Sequence, residues 1–251
     1  MNSEERARRV TDLLRHHERV EVEQLVADFD ASPATIRRDL DVLEKRGVLR
    51  RVHGGAVSLL LGGAVPGYEQ RALESSQAKA LMARAAAALI HDKEFVFLDS
   101  GSTATAVASV LASRDLSVAA ANLHAVRELT GARAEVLLLG GSVIVGELAL
   151  RGPLTEQNIA SLRFDTAIIT PCAFTFAEGP LAHDLADAAI KRAAMTSAHR
   201  TMVVCEASKF ARSAPVLLGG LRQVDLLVTD YTLSAEEHSL ALSAGIEVHT
   251  V

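Results

Sequence analysis

Two stretches of this 251-residue chain group side chains closely enough to do chemistry. The first is Asp99-Ser100-Gly101-Ser102-Thr103, which follows the apolar run Phe95–Leu98 and leads into a helical pattern. A strand, a turn of small residues and a helix start, in that order, leave backbone N–H groups pointing outward where the helix dipole favours an anion. Ser100, Ser102 and Thr103 add hydroxyl donors, and Gly101 lets the backbone approach closely. The chemistry would be the holding of a phosphate. A tight β–α turn with a serine N-cap accounts for the same residues, and spacing alone does not separate the two readings. Asp99 stands likewise between binding a ligand and capping the turn.

The second stretch is Ser32-Pro33-Ala34-Thr35-Ile36-Arg37-Arg38-Asp39-Leu40. Serine as N-cap and proline at the first helical position mark a helix start. Ile36, Leu40 and Leu43 give that helix an inward face, while Ser32, Thr35, Arg37 and Arg38 lie near its N-terminal end and can point outward. In a helix-turn-helix this end enters the major groove of double-stranded DNA, where arginine pairs with guanine edges or phosphates and threonine with phosphate or a thymine methyl. Arg50, Arg51 and His53, on the hairpin that follows, would clamp the adjacent backbone. A charged surface helix in a three-helix bundle is the alternative.

The elements needed to position these groups are legible in the pattern. Ala7, Val10, Leu13 and Leu14 recur at helical spacing, and Val22, Leu25, Val26 and Phe29 form a second stripe before a break at Asp30-Ala31. Gly47 ends the third helix, and Val48 to Val57 reads as a hairpin with Gly54-Gly55 near its turn. Residues 1–57 form one expected domain and 58–67 a linker. Leu59-Leu60-Leu61 is apolar for a linker, and a segment packed on a neighbour fits it equally. From residue 68 to 251 helix and strand alternate. Strands are expected at Phe95–Leu98, Leu116–Ala121, Val136–Leu139, Ala167–Thr170, Met202–Cys205, Leu226–Thr229 and Ile246–Val251. Helices are expected at Lys79–Ile90, Thr103–Ala112, Asp184–Ser197 and Ala235–Ala244. Short apolar strands separated by helices imply an α/β domain with a mostly parallel sheet covered on both faces.

Composition narrows the partners. The net charge is -5, but residues 32–55 hold six Lys/Arg against three acids, so this stretch is about +3 and the remainder about -8. A basic face on an acidic body suits duplex DNA. With no Trp and 4% aromatic residues there is little to stack on unpaired bases, which argues against an RNA or single-strand reader. No apolar run reaches the length of a membrane span and the N-terminus has no signal-peptide core, so a cytoplasmic protein without membrane contact is expected. Cys172 and Cys205 read as isolated buried thiols rather than a bridge.

The run Ala31-Ser32-Pro33-Ala34-Thr35-Ile36-Arg37-Arg38-Asp39-Leu40, followed by Leu43-Glu44, Gly47, Leu49 and Arg51-Val52-His53-Gly54-Gly55-Ala56, closely resembles the DeoR family of bacterial regulators. The resemblance covers nearly the whole chain. It implies a winged helix-turn-helix, usually of a repressor, joined to a sugar-phosphate sensor whose fold is similar to ribose-5-phosphate isomerase and glucosamine-6-phosphate deaminase. It implies that Asp99–Thr103 is the phosphate loop, with Ser102 in its fourth place. It also matches Tyr68-Glu69-Gln70-Arg71 and Lys79, Asn122, Leu139-Gly140-Gly141, Gly152-Pro153, Asp187 with Lys191, and Ser208-Lys209-Phe210 to the family pattern. On that basis Arg71, Asn122, Gly140, Gly141, Gly152, Asp187, Lys191 and Lys209 join the effector site. Lys191 and Lys209 could supply cations, and Asp187 and Asn122 could bind hydroxyls. An exposed i,i+4 ion pair is the other reading of Asp187 and Lys191. Arg71 could reach the ligand or tie the linker to the sensor.

The chain departs from the pattern at Thr170-Pro171-Cys172-Ala173-Phe174, Glu206, Ala211 and Ala121, near the sugar-facing strand ends. No metal or cofactor is called for, and His183, Asp184 and Asp187 make a poor metal set. The expected function is a ligand-controlled repressor of a carbohydrate operon, acting as a homodimer or higher homo-oligomer on paired half-sites. Two alternatives stand beside it: an isomerase- or deaminase-like enzyme with a fused DNA-binding module, and a constitutive DNA binder whose sensor has degenerated.

Overall fold

Apolar spacing in the first third of the chain produces three helices that bury one stripe each. In the computed structural model, which describes residues 3–14, 19–45, 48–52, 54–58, 67–131 and 133–251, these are α1 (Ser3–Leu14), α2 (Val22–Phe29) and α3 (Pro33–Lys45). Between α1 and α2 runs β1 (Arg19–Glu21), and after α3 come β2 (Leu49–Val52) and β3 (Gly55–Ser58). Gly47, His53 and residues 59–66 of the expected linker lie outside the described residues. The chain divides into two compact units, Met1–Val65 and Pro66–Val251.

In the first unit Val10, Leu14, Leu25, Ile36, Leu40, Leu43 and Leu49 form the core. Asp30, in the left-handed region at φ 48°, stops α2. Ser32 Oγ accepts the Thr35 N–H at 3.2 Å and starts α3. The buried carboxylate of Asp39 ties α3 to α1: its Oδ2 lies 2.6 Å from Arg6 Nε, and its Oδ1 accepts the Ser3 hydroxyl at 2.7 Å. The hairpin is antiparallel, and β1 adds a third strand to it in the order β1-β3-β2. That strand was not expected, because three residues give no readable alternation. Gly55 permits it, since a Cβ there would meet Val20 O at 2.2 Å.

The second unit begins with α4 (Tyr68–Leu73) and α5 (Ser76–Ala88), then β4 (Phe95–Leu98), α6 (Ser102–Leu111), β5 (Ser117–Ala120), α7 (Leu123–Leu129) and β6 (Glu135–Leu138). It continues through β7 (Ser142–Ile144), β8 (Ala149–Arg151), α8 (Pro153–Ala160), β9 (Phe164–Ile169), β10 (Ala173–Thr175), β11 (Gly179–Ala182), α9 (Leu185–Thr196) and β12 (Ala198–Cys205). It ends with α10 (Ala207–Phe210), β13 (Val216–Leu217), β14 (Leu226–Thr229), α11 (Ala235–Ala244) and β15 (Glu247–Thr250). The seven expected strands form one sheet, ordered β15-β14-β12-β9-β4-β5-β6, in which every neighbouring pair is parallel. Period-two alternation sends Val96, Leu98, Ile168, Met202 and Val204 to the face covered by α5 and α6. Phe97, Ala167, Ile169, Val203 and Leu227 go to the face covered by α8 and α9. Two small antiparallel sheets, β7-β8 and β10-β11-β13, were not expected.

The strand order decides where a site can lie. The chain starts at β4, steps outward to β5 and β6, and returns on the other side of β4 with β9. At such a reversal the loops leaving adjacent strands diverge and open a crevice beyond their carboxyl ends. In this chain those loops are Asp99–Gly101 and Thr170–Cys172.

Replacing Asp39 by Ala removes the buried Arg6–Asp39 ion pair and the Ser3 hydrogen bond and is expected to destabilise the first unit by roughly 2–4 kcal/mol. A urea titration of the full chain, following the first unit's transition, checks this. An unchanged midpoint would show that this ion pair does not hold α1 to α3.

Candidate functional site

A small crevice opens at the β4–β9 reversal. Arg71, Ser100, Gly101, Ser102, Thr103 and Lys209, all expected at an effector site, line it. Gly101 sits at φ 99° at the mouth of α6, a left-handed conformation that favours glycine. This conformation lets the chain turn from strand to helix within three residues. The first N–H groups of α6 have no intrahelical acceptor, so this end of the helix is suited to an anion.

Beneath the loop lies a buried ion cluster. Lys191 Nζ is 2.9 Å from Asp99 Oδ2 and 2.8 Å from Asp187 Oδ1, with Lys191 2% and Asp99 1% exposed. The exposed-pair reading of Asp187 and Lys191 is therefore corrected: the residues sit four apart on α9, but that face of the helix is packed against the sheet. Burial works against the Lys191 charge, yet the Asp187 and Asp99 carboxylates outweigh it and hold the ammonium above the ordinary lysine value. Asp99 also accepts the Thr170 N–H at 2.8 Å, and the Thr170 hydroxyl donates to Ser100 O at 2.7 Å. These bonds stitch the loops of β4 and β9 together. Arg151 extends the cluster, 2.9 Å from Asp184 and 3.9 Å from Asp187.

The remaining cations around the cavity fall into two groups. Arg71 is bound to Glu147. Lys79 Nζ donates to the carbonyls of Arg71 and Glu74 and lies 3.6 Å from Glu206 Oε1. Burial holds Lys79 below the ordinary lysine value, with Glu206 offsetting part of that. Lys209 and Arg212, by contrast, line the cavity without an ion pair among the described residues. Burial, with Arg212 nearby, lowers the Lys209 pKa. Phe210 anchors the short turn that carries both, stacked on Tyr231 at 4.2 Å and packed on Phe174 at 5.3 Å.

Arg212 and Glu74 line the cavity without having been singled out, and Thr170 and Pro171, noted only as departures from the family pattern, line it as well. Arg212 follows Lys209 by three residues, so one helical turn places both side chains on one side, a signal that was readable. Thr170 becomes relevant only once β9 is known to neighbour β4.

Other expected effector residues lie off the cavity. Asn122 is fully buried, and its Oδ1 caps α7 by accepting the His124 N–H at 2.7 Å. Its Nδ2 has no hydrogen-bond partner among the described residues. Gly140 O accepts the Thr155 hydroxyl at 2.7 Å, and a Cβ on Gly141 would meet Thr155 Oγ1 at 1.9 Å, so these glycines seat α8 against the end of β6. Gly152, at φ 100°, turns the chain into α8. Among the described residues no His, Cys, Asp and Glu group gathers to hold a metal.

In the first unit Arg37, Arg38 and Arg50 are exposed, Thr35 is half-buried, and Ser32 caps the helix they approach. Arg51 is held instead: its Nη1 lies 2.5 Å from Asp41 Oδ1 and donates to Arg37 O at 3.1 Å, and its N–H donates to Glu44 at 2.7 Å.

Residues 6–60 match the DeoR-like helix-turn-helix domain and residues 74–231 the DeoR C terminal sensor domain. Curated relatives are similar over almost the full length. The transcriptional repressor AccR of Agrobacterium fabrum is 32% identical over 91% of this chain and 90% of its own. The HTH-type transcriptional regulator GlpR of Haloferax volcanii is 31% identical over 97% and 96%. The glycerol-3-phosphate regulon repressor of Escherichia coli (strain K12) is 29% identical over 92% of each. Among solved structures, ribose 5-phosphate isomerase A of Methanocaldococcus jannaschii is similar over 54% of this chain and 55% of its own, at 14% identity and a TM-score of 0.39, too slight a likeness to bear on function. A helix-turn-helix unit with exposed arginines at its recognition end, an α/β unit with an anion-suited crevice, and both family matches lead to one conclusion: the chain belongs to the DeoR family of DNA-binding transcription regulators.

Proposed function

We propose that this regulator represses a carbohydrate-metabolism operon and is controlled by a small phosphorylated sugar bound at the β4–β9 crevice. One observation carries the reading: the N-terminus of α6 and two cations without carboxylate partners, Lys209 and Arg212, converge on one cavity. The phosphate lies on the N–H groups of residues 101–103 and the Ser100 and Ser102 hydroxyls, with Lys209 and Arg212 closing over it. Asp99, Asp187 and Lys191 set the shape of the loop from below, and Asn122, Gly140, Gly141 and Gly152 shape the neighbouring loops. The relatives named as glycerol-3-phosphate regulon repressors support a phosphorylated effector.

On the DNA side, Thr35, Arg37 and Arg38 read base edges and Arg50 holds a phosphate. His53 joins the wing contact, and Arg51 supports it from its seat on α3. A palindromic operator needs two recognition helices, so the working form is a homodimer or larger. The effector acts by linkage: it binds one arrangement of the sensor better, and so shifts the affinity for the operator by the same factor.

Calorimetry and thermal-shift assays with inorganic phosphate and a panel of sugar phosphates are expected to show binding and stabilisation. Lys209→Gln with Arg212→Gln should weaken it on the order of 100-fold or more, since each removes a charged hydrogen bond. A protein stabilised by none of these anions would sink the sensor half of the reading. In operator titrations across salt concentrations, Arg37→Gln with Arg38→Gln should abolish preference for the operator over random duplex. Arg50→Gln should lower the salt slope by about 1, whereas Arg51→Gln should leave it unchanged. Full operator preference after loss of both Arg37 and Arg38 would contradict the DNA half.

A further inference from the structure

The crevice is walled chiefly by donors, yet a buried carboxylate stands among them. Glu206 is 7% exposed and lines the cavity. Its Oε1 accepts the Thr103 hydroxyl at 3.2 Å and lies 3.6 Å from Lys79 Nζ. Lys79 is itself held by the carbonyls of Arg71 and Glu74, so the carboxylate is braced by a cation with partners of its own. Among the described residues no hydrogen bond engages its Oε2, and the side chain lines the cavity.

A carboxylate against the first turn of α6 cannot itself hold an anion, because like charges repel there. It can accept an O–H. An acceptor held in place and largely desolvated loses free energy when a ligand covers it without supplying a donor. A site built in this way rejects analogues that lack the hydroxyl far more strongly than a hydrophobic wall could.

We propose that Glu206 is a specificity-determining residue that accepts a hydrogen bond from an effector hydroxyl next to the bound phosphate, so that the site takes hydroxylated phosphate esters and rejects plain alkyl phosphates. This rests on the phosphate reading above. Lys209, Arg212 and the loop amides hold the phosphate, and Glu206 reads what is attached to it.

Calorimetry on the full chain with inorganic phosphate, propyl phosphate, glycerol 3-phosphate, ribose 5-phosphate and fructose 6-phosphate tests it. The wild-type chain should prefer its best hydroxylated ester over propyl phosphate by about 10- to 100-fold, the size of one charged hydrogen bond. Glu206→Gln should reduce that preference about tenfold or more, while tightening inorganic phosphate severalfold because a negative charge beside the loop is gone. Glu206→Asp, which keeps the carboxylate one methylene shorter, should retain part of the preference. Circular dichroism identifies any variant that fails to fold, and the wild-type comparison does not depend on one. Equal wild-type affinity for propyl phosphate and the hydroxylated esters overturns the proposal, as does an unchanged preference in a folded Glu206→Gln. Either result leaves the phosphate reading standing, whereas a wild-type chain that binds none of the five overturns both.

Discussion

A single ammonium group, Lys191 Nζ, lies between the carboxylates of Asp99 and Asp187 in the dry interior of the sensor unit, and the geometry of the crevice depends on it. A buried carboxylate at the end of β4 would be strongly destabilising without a cation beside it. With Lys191 in place, Asp99 can also accept the Thr170 N–H, and this joins the two strands between which the sheet reverses direction. The loop that follows Asp99 is thereby fixed at its root, and Gly101 turns it into α6 with the helix N-terminus aimed at the cavity. The cluster also bears on Lys191 itself, whose ammonium is matched by two acids. A lysine held by two acids is already engaged, in contrast to Lys209 and Arg212 on and beside the α10 turn, which have no ion pair among the described residues.

The same distinction sorts charges throughout the molecule. Arg6 with Asp39 and Arg51 with Asp41 fasten elements of the helix-turn-helix unit. Arg71 with Glu147, Lys79 with Glu206 and Arg151 with Asp184 fasten loops of the sensor. Arg37, Arg38 and Arg50 in one unit, and Lys209 and Arg212 in the other, have no ion pair among the described residues. Cations already matched by a carboxylate act as fasteners. Those left unmatched are available to a phosphate, whether of a nucleic acid or of a metabolite. An acidic chain can in this way keep local cationic sites.

Much of this was legible in the residues. The seven sheet strands were found because each is a short apolar run bounded by polar turns, and α3 because Ser32-Pro33 and Gly47 bracket a helical stripe. The loop after β4 was found from its small residues. Other features were hidden for identifiable reasons. β1, β7, β8 and β10 are three residues long and too short for alternation to register. The burial of Lys191 and Asp187 depends on which face of α9 meets the sheet, and the i,i+4 spacing is the same for an exposed pair. Strand order, which brings Thr170 beside Asp99, is a long-range property that no local pattern carries. Asn122, Gly140 and Gly141 were matched to the site, but the structure gives them local duties in capping α7 and seating α8.

In the proposed site the phosphate lies on the amides at the start of α6. Titration of the isotopically labelled chain with inorganic phosphate, followed by amide NMR, tests it directly. The largest, saturable shifts are expected on the N–H groups of Gly101, Ser102 and Thr103. Saturable shifts concentrated elsewhere, with these three amides unmoved, would contradict it.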